Sequence, residues 1–237
     1  MTRSSRIERR KKSSAGLKGK TPSSTGKTAE AFADALINFL DLLHLDQVIV
    51  VGISAAGPTA LQLADRHPTR MSKVILQNAV TGGRFPKGLT RVMTYLLFNP
   101  WGERWTWAAF RTFGRFAPQA ALKSMMGSLS SLDPDQVIAS MSPEQQQAAL
   151  VLLLASRSGS GFLHDIHHRC GDLSRITAPT LIIASKYDGS IDPSHALYAA
   201  EHIPHAELFV SQAQSHLLWF SSYNDEIEEK MREFLES

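Results

Sequence analysis

Three side chains of this 237-residue sequence have the types and surroundings that acyl-transfer chemistry requires: Ser54, Asp188 and His216. Each is predicted to follow a β-strand, and function collects in the loops at the carboxyl ends of strands in open α/β sheets. A serine hydroxyl is a poor nucleophile at neutral pH and needs a base, for which histidine has a suitable pKa. A carboxylate then fixes the imidazole tautomer and stabilises the imidazolium that forms.

The segment around Ser54 is a predicted strand-to-helix corner. Residues 47–57 read Q-V-I-V-V-G-I-S-A-A-G, and a helical pattern follows up to His67. A wholly apolar β-branched run such as Val48–Val51 is typical of a strand buried on both faces in a parallel sheet. A tight corner after such a strand requires small residues, because the helix must pass close to the strand. Four small residues surround the serine: Gly52, Ala55, Ala56 and Gly57.

This corner resembles the nucleophile elbow of the α/β-hydrolase family, G-x-S-x-G, with Ala56 at the fifth position and glycine one residue later. The end of the chain is also similar to that family. Residues 188–193 read D-G-S-I-D-P, residues 203–206 read I-P-H-A, and His216 follows Ser215 where the family usually has glycine. The alternative for the elbow is an ordinary serine in a strand-to-helix turn.

The resemblance, which covers about residues 28–237, implies an α/β-hydrolase fold and a Ser-Asp-His chain order. It assigns Ser54 as nucleophile, His216 as base and Asp188 as acid, with the Ala55 amide as an oxyanion-hole donor. Asp192 is the alternative acid, and Asp188 could instead only form a turn before Gly189. The implied activity is that of a serine hydrolase, which splits a carboxylic ester or a related small apolar acyl substrate without a cofactor.

The surrounding pattern predicts an α/β core in two pieces, residues 28–80 and 171–237, with a mostly parallel sheet flanked by helices. Strands are expected near 48–51, 71–80, 180–184 and 206–211, and helices near 28–43, 59–66, 193–203 and 224–235. Residues 81–170 lack strand-like runs and are predicted to form a helical cap, with helices over 93–97, 103–110, 119–126 and 144–154 separated by prolines and glycines. The many aromatic side chains of the cap are expected to join its helices or to line an apolar pocket.

Residues 1–27 carry eight basic side chains against one acidic side chain in their first twenty positions and few apolar ones, and are predicted to be a disordered tail. The usual strands ahead of the elbow, with an H-G motif for a second oxyanion donor, are not found there. We therefore expect an exposed sheet edge at Val48–Val51 that could support oligomerisation. The alternative function is a truncated, catalytically impaired hydrolase-like protein with a binding role.

Other function classes have little support. No dinucleotide-binding or P-loop motif occurs, and no apolar run is long enough for a membrane span.

The histidines of residues 164–168, with Asp165, offer no evident three-ligand metal site. The other histidines beside helices are expected at the surface or as caps: His44, His67, His195, His202 and His205. Nucleic-acid binding by the basic tail is kept as a third hypothesis, although no nucleic acid is expected as a partner. The lone Cys170 fits a reducing compartment, so a cytoplasmic location is expected.

Overall fold

The computed structural model describes residues 26–83, 85, 95, 102–156, 163 and 165–237. The predicted basic tail and the predicted helix over 93–97 lie almost wholly outside the described residues. Within them, the α/β core contains four strands and four α-helices, which alternate along the chain except where the helical insertion separates β2 from β3. They are α1 (Ala29–Leu42), β1 (Val48–Ile53), α2 (Gly57–Arg66), β2 (Met71–Gln77), β3 (Thr180–Ser185), α7 (Ser194–His202), β4 (Ala206–Ser211) and α8 (Asn224–Glu236).

The four strands form one parallel sheet in the order β1-β2-β3-β4. Their carboxyl ends therefore lie along one edge, as the sequence predicted. The two central strands are buried on both faces, because their side chains alternate between two apolar clusters. Val74, Leu76 and Ile182 pack on the side of α1, α2 and α7, whereas Ile75 and Leu181 pack on the side of α8.

The first strand is buried on one face only. Val48 and Val50 pack against the cluster formed with α1 and α2. On the opposite face Ile49 is 46% exposed and Val51 is 44% exposed, and among the described residues no strand pairs with the outer edge of β1. The expectation of a strand buried on both faces is therefore wrong for β1, although it holds for β2 and β3. The expected exposed edge is present in the described part of the chain.

A helical insertion, residues 102–156, lies between β2 and β3. It comprises α3 (Glu103–Phe116), α4 (Pro118–Leu129), α5 (Pro134–Ser140) and α6 (Pro143–Ala155). Pro118, Pro134 and Pro143, which the sequence pattern treats as separators, are the first residues of helices, because a first-turn residue needs no backbone donor. Helix α5 was not predicted because Pro134, its first residue, was interpreted as a separator between helices.

The insertion has its own apolar cluster, built around Leu122, Met126 and Leu150, and Leu217 of the core belongs to it. The aromatic side chains of α3 are less enclosed than expected: Trp105 is 69% exposed and Phe116 is 87% exposed. These two side chains therefore neither join helices nor line a pocket in the described structure. No described helix combines the length and the apolar character that crossing a membrane would require.

Candidate active site

Ser54 lies at a strained backbone corner. It directly follows β1 and begins a single 3₁₀ turn, Ser54–Ala56, that leads into α2. Its φ of 54° is in the left-handed region, where a residue with a Cβ atom is strained. Such strain persists only where the surrounding structure enforces it, and it clusters at functional sites. This backbone conformation places the Ser54 side chain in the turn at the carboxyl end of β1.

The small residues of this corner have the role that the sequence predicted. A Cβ atom on Gly57 would lie 2.2 Å from the Val80 carbonyl oxygen, and one on Gly52 would lie 2.7 Å from the Ala60 Cβ atom. Helix α2 thus passes too close to the ends of β1 and β2 for a larger side chain. The Ser54 carbonyl oxygen also accepts a hydrogen bond from the Val80 amide at 3.0 Å. These contacts fix the corner to the next strand.

Asp188 and His216 form a buried pair at the same edge of the sheet. Asp188 follows β3 and His216 follows β4, and the His216 Nδ1 atom lies 2.7 Å from the Asp188 Oδ2 atom. The other oxygen of Asp188 accepts hydrogen bonds from the amides of Ser190 at 2.7 Å and Ile191 at 2.9 Å. Because these bonds occupy Oδ1, the carboxylate is oriented with Oδ2 toward the imidazole. This geometry leaves Nε2 as the ring nitrogen available for chemistry.

The alternative acid, Asp192, has a different environment. It is exposed, and its Oδ1 atom accepts a hydrogen bond from the Ser194 amide at 2.8 Å. This bond belongs to the start of α7, where side-chain acceptors satisfy free backbone donors. The structure thus brings Asp188, and not Asp192, into a hydrogen bond with His216.

No hydrogen bond joins the Ser54 hydroxyl to His216 among the described residues. Catalytic hydrogen bonds of this kind are often long in proteins without substrate and shorten when substrate binds. The elbow and the acid–base pair therefore lie at the same edge of the sheet as two separate hydrogen-bonded units.

The end of α4 contacts both loops of the acid–base pair. The Leu129 carbonyl oxygen accepts hydrogen bonds from the amides of His216 at 2.7 Å and Gly189 at 3.2 Å. The Ser130 hydroxyl donates to the Gln214 carbonyl at 2.5 Å, and the Ser131 amide donates to the Tyr187 carbonyl at 3.0 Å. No sequence pattern predicts these contacts, because they are long-range and mostly use backbone atoms.

Ala55, the predicted oxyanion donor, lies at the wall of a small cavity. Asp165 and His168 also line this cavity, and their Oδ1 and Nδ1 atoms are 3.8 Å apart. Burial raises the pKa of Asp165 to about 7. A polar pair therefore lines the same cavity as the residue that follows Ser54. A larger cleft shares His168 and Ile166 with this cavity and extends to Tyr198.

The remaining candidate groups are placed as follows. His195 is buried, and its Nδ1 atom accepts a hydrogen bond from the Thr81 amide at 3.2 Å, so the expected surface or capping role is wrong for this residue. His164 lies outside the described residues. Within them no group of three potential ligands could hold a metal ion. Burial raises the pKa of the Cys170 thiol to about 12, which makes it a poor nucleophile.

Comparison with known proteins adds independent information on the family. The profile of the alpha/beta hydrolase fold family matches residues 11–222. An uncharacterised hydrolase of Bacillus subtilis, YcgS, is 32% identical over 224 residues, which are 92% of this chain and 79% of that protein. A 2-hydroxymuconate semialdehyde hydrolase of Pseudomonas putida is 29% identical over 187 residues, and the match spans 78% of this chain and 62% of that protein.

Solved structures agree on the fold. An alpha/beta hydrolase fold protein from Nakamurella multipartita superimposes with a TM-score of 0.76 at 24% identity, covering 93% of this chain and 79% of that structure. A thermophilic esterase from Thermogutta terrifontis has a TM-score of 0.63 at 20% identity, covering 88% and 72%. At these identities the structures show the fold alone, and the curated relatives support a hydrolytic role. The profile match over most of the sequence shows that this chain belongs to the alpha/beta hydrolase fold family.

Proposed function

We propose that this chain is a serine hydrolase that splits a carboxylic ester or a related acyl bond. The observation that carries the proposal is the buried hydrogen bond between His216 Nδ1 and Asp188 Oδ2, 2.7 Å long, at the sheet edge where the strained Ser54 lies. Such a pair supplies the two parts that a serine nucleophile needs, a base and a group that orients it. The hydrolase names of the relatives support the same reaction class.

The proposed reaction has two stages. His216 Nε2 removes the proton from the Ser54 hydroxyl while its oxygen attacks the acyl carbon, and the Ala55 amide stabilises the oxyanion. The imidazolium, held by Asp188, then protonates the leaving group, so that an acyl-serine remains. In the second stage His216 activates a water molecule, which attacks the acyl carbon and releases the acid and the free serine.

The cavity beside Ala55, which Pro58, Ile166 and the polar pair Asp165 and His168 also line, is too small to hold an acyl group. We keep the expectation of a small apolar acyl substrate, and this cavity does not narrow that class further.

Intact-mass labelling with a fluorophosphonate tests the proposal. We expect one covalent adduct on the native protein, no adduct on Ser54→Ala, and an unchanged adduct on Ser72→Ala, whose exposed serine makes a hydrogen bond to Val48 remote from the site. The high pKa of Cys170 removes its thiol as a competing nucleophile. A folded protein that forms no adduct, or an adduct that survives Ser54→Ala, would contradict the proposal and favour the binding role.

A further inference from the structure

Asn78 has an unusual backbone conformation next to the site. It is the first residue after β2, its side chain is buried, and its φ is 43°. The other residues with side chains and positive φ in the described structure are His44 and Ser54. Asparagine tolerates the left-handed region better than most residues, because its short polar side chain can form local hydrogen bonds. Asn78 therefore combines a strained backbone with a fully enclosed amide.

Both ends of this amide form hydrogen bonds with the loops of the acid–base pair. Asn78 Nδ2 donates to the His216 carbonyl oxygen at 2.8 Å. Asn78 Oδ1 accepts from the amide of Ser185, the last residue of β3, at 2.7 Å. The partners fix the orientation of the amide, because a backbone carbonyl can only accept and a backbone N–H can only donate. The backbone N–H of Asn78 also donates a hydrogen bond, to the Ile183 carbonyl oxygen at 2.9 Å.

These contacts hold His216 from two sides. Its backbone N–H is bound by Leu129 of the insertion, and its backbone carbonyl is bound by Asn78. The Asn78 side chain also binds Ser185, the last residue of β3. It therefore links His216 to a position three residues before Asp188. Rotation of the His216 backbone would break at least one of these bonds.

We propose that Asn78 is a positioning residue that keeps the His216 imidazole at hydrogen-bonding distance from Asp188. It touches neither the substrate nor the reacting atoms. Its effect on reaction rate rests on the serine hydrolase function proposed above, whereas its effect on the imidazole does not. The two effects can therefore be measured separately.

The key variant is Asn78→Asp. Aspartate also tolerates the left-handed region and can still accept from Ser185, but its ionised carboxylate cannot donate to the His216 carbonyl. Asn78→Gly is the second variant, because glycine adopts the same backbone freely and removes both bonds without adding a charge. A change shared by the two variants follows from the lost bond and not from the new charge.

A matched control is Gln62→Ala. Gln62 carries an equally buried amide, which donates to the Arg169 carbonyl at 3.1 Å and to Glu30 at 3.3 Å, and neither partner belongs to the site. The control therefore loses the hydrogen bonds of a buried amide and some stability without touching the His216 loop.

The first measurement is independent of activity. The ¹⁵N chemical shifts of the His216 ring nitrogens, assigned by comparison with His216→Ala, report which nitrogen carries the proton and how Nδ1 is bonded. We expect the native protein and Gln62→Ala to show a protonated Nδ1 at neutral pH. In Asn78→Asp and Asn78→Gly we expect the shifts to move toward the average of the two neutral tautomers.

The second measurement is the fluorophosphonate labelling rate. Misplacement of a reacting group by about 1 Å can cost roughly 100-fold in rate, so we expect a fall of about 10-fold to 100-fold in both Asn78 variants and less than about twofold in Gln62→Ala. Unchanged ring shifts in folded Asn78→Asp would overturn the positioning role. If the native protein were not labelled, the proposed function would fail, and the ring shifts alone would decide on Asn78.

Discussion

The Asp188–His216 pair and the Ser54 corner lie at one edge of the same sheet but are supported very differently. Asp188 and His216 follow β3 and β4 and are enclosed by the core and by the end of α4. Ser54 follows β1, whose outer face exposes Ile49 and Val51. The pair is thus held by hydrogen bonds from several elements, whereas the serine depends on local strain and close packing.

The difference shows two ways to fix a side chain. The pair uses directional bonds, and those that a side chain makes can be removed by one substitution with a graded effect. The elbow uses close backbone approach at Gly52 and Gly57, where no intermediate substitution exists because any Cβ atom collides. We therefore expect substitutions around the Asp188–His216 pair to have graded effects. Substitutions of Gly52 or Gly57 are expected to disrupt the Ser54 corner completely.

The largest expected effect comes from removing the charge that orients the base. Asp188→Asn should lower the fluorophosphonate labelling rate by about 10³-fold to 10⁴-fold, because the amide no longer holds the imidazole in the reactive tautomer. The matched control is Asp192→Asn, which keeps an acceptor for the Ser194 amide and should leave the rate nearly unchanged. A larger loss in Asp192→Asn than in Asp188→Asn would show that the acid is misassigned.

A smaller effect is expected where the insertion contacts the base loop. Ser130→Ala removes the donor to Gln214 and the acceptor of the Leu132 amide, and both groups are at least partly buried. We expect a loss of about 1–3 kcal/mol in the free energy of unfolding, measured by chemical denaturation. The matched control is Ser128→Ala, which loses a single exposed hydrogen bond to the Met125 carbonyl and should cost less than about 0.5 kcal/mol. Equal losses would contradict the role given to Ser130.

The smallest expected effect on stability lies at the open edge. Ile49→Lys should change the free energy of unfolding by no more than about 0.5 kcal/mol, because the side chain is already half exposed. It should reduce self-association, measured by sedimentation, since a charge on an edge strand opposes pairing with another chain. Val210→Lys on β4, the opposite edge, is the matched control. If the two variants reduced association equally, β1 would not be the associating edge.

The elements of the core were predictable because their signals are local. The apolar runs of β2 and β3 and the small residues around Ser54 each act within a few positions along the chain. The pairing of Asp188 with His216 was also anticipated, since parallel strands end at one edge.

What the sequence did not reveal depends on contacts between distant segments. The hydrogen bonds of Asn78 to His216 span 138 positions, and no local pattern marks an asparagine for such a role. His195 was expected at the surface or as a cap because it lies beside a helix, yet it is buried and accepts a hydrogen bond from Thr81. The start of α5 at Pro134 was missed for a different reason, since proline can equally end a helix or begin one.

The bond between the His216 amide and the Leu129 carbonyl has a consequence for how substrate reaches the site. Any movement that carries the end of α4 away from the core breaks this bond and the one from Gly189. His216 would then keep its bonds to Asp188 and Asn78 but lose its backbone link to α4. Movement of α4 would therefore loosen one of the three contacts that hold this residue, and its return would restore that contact.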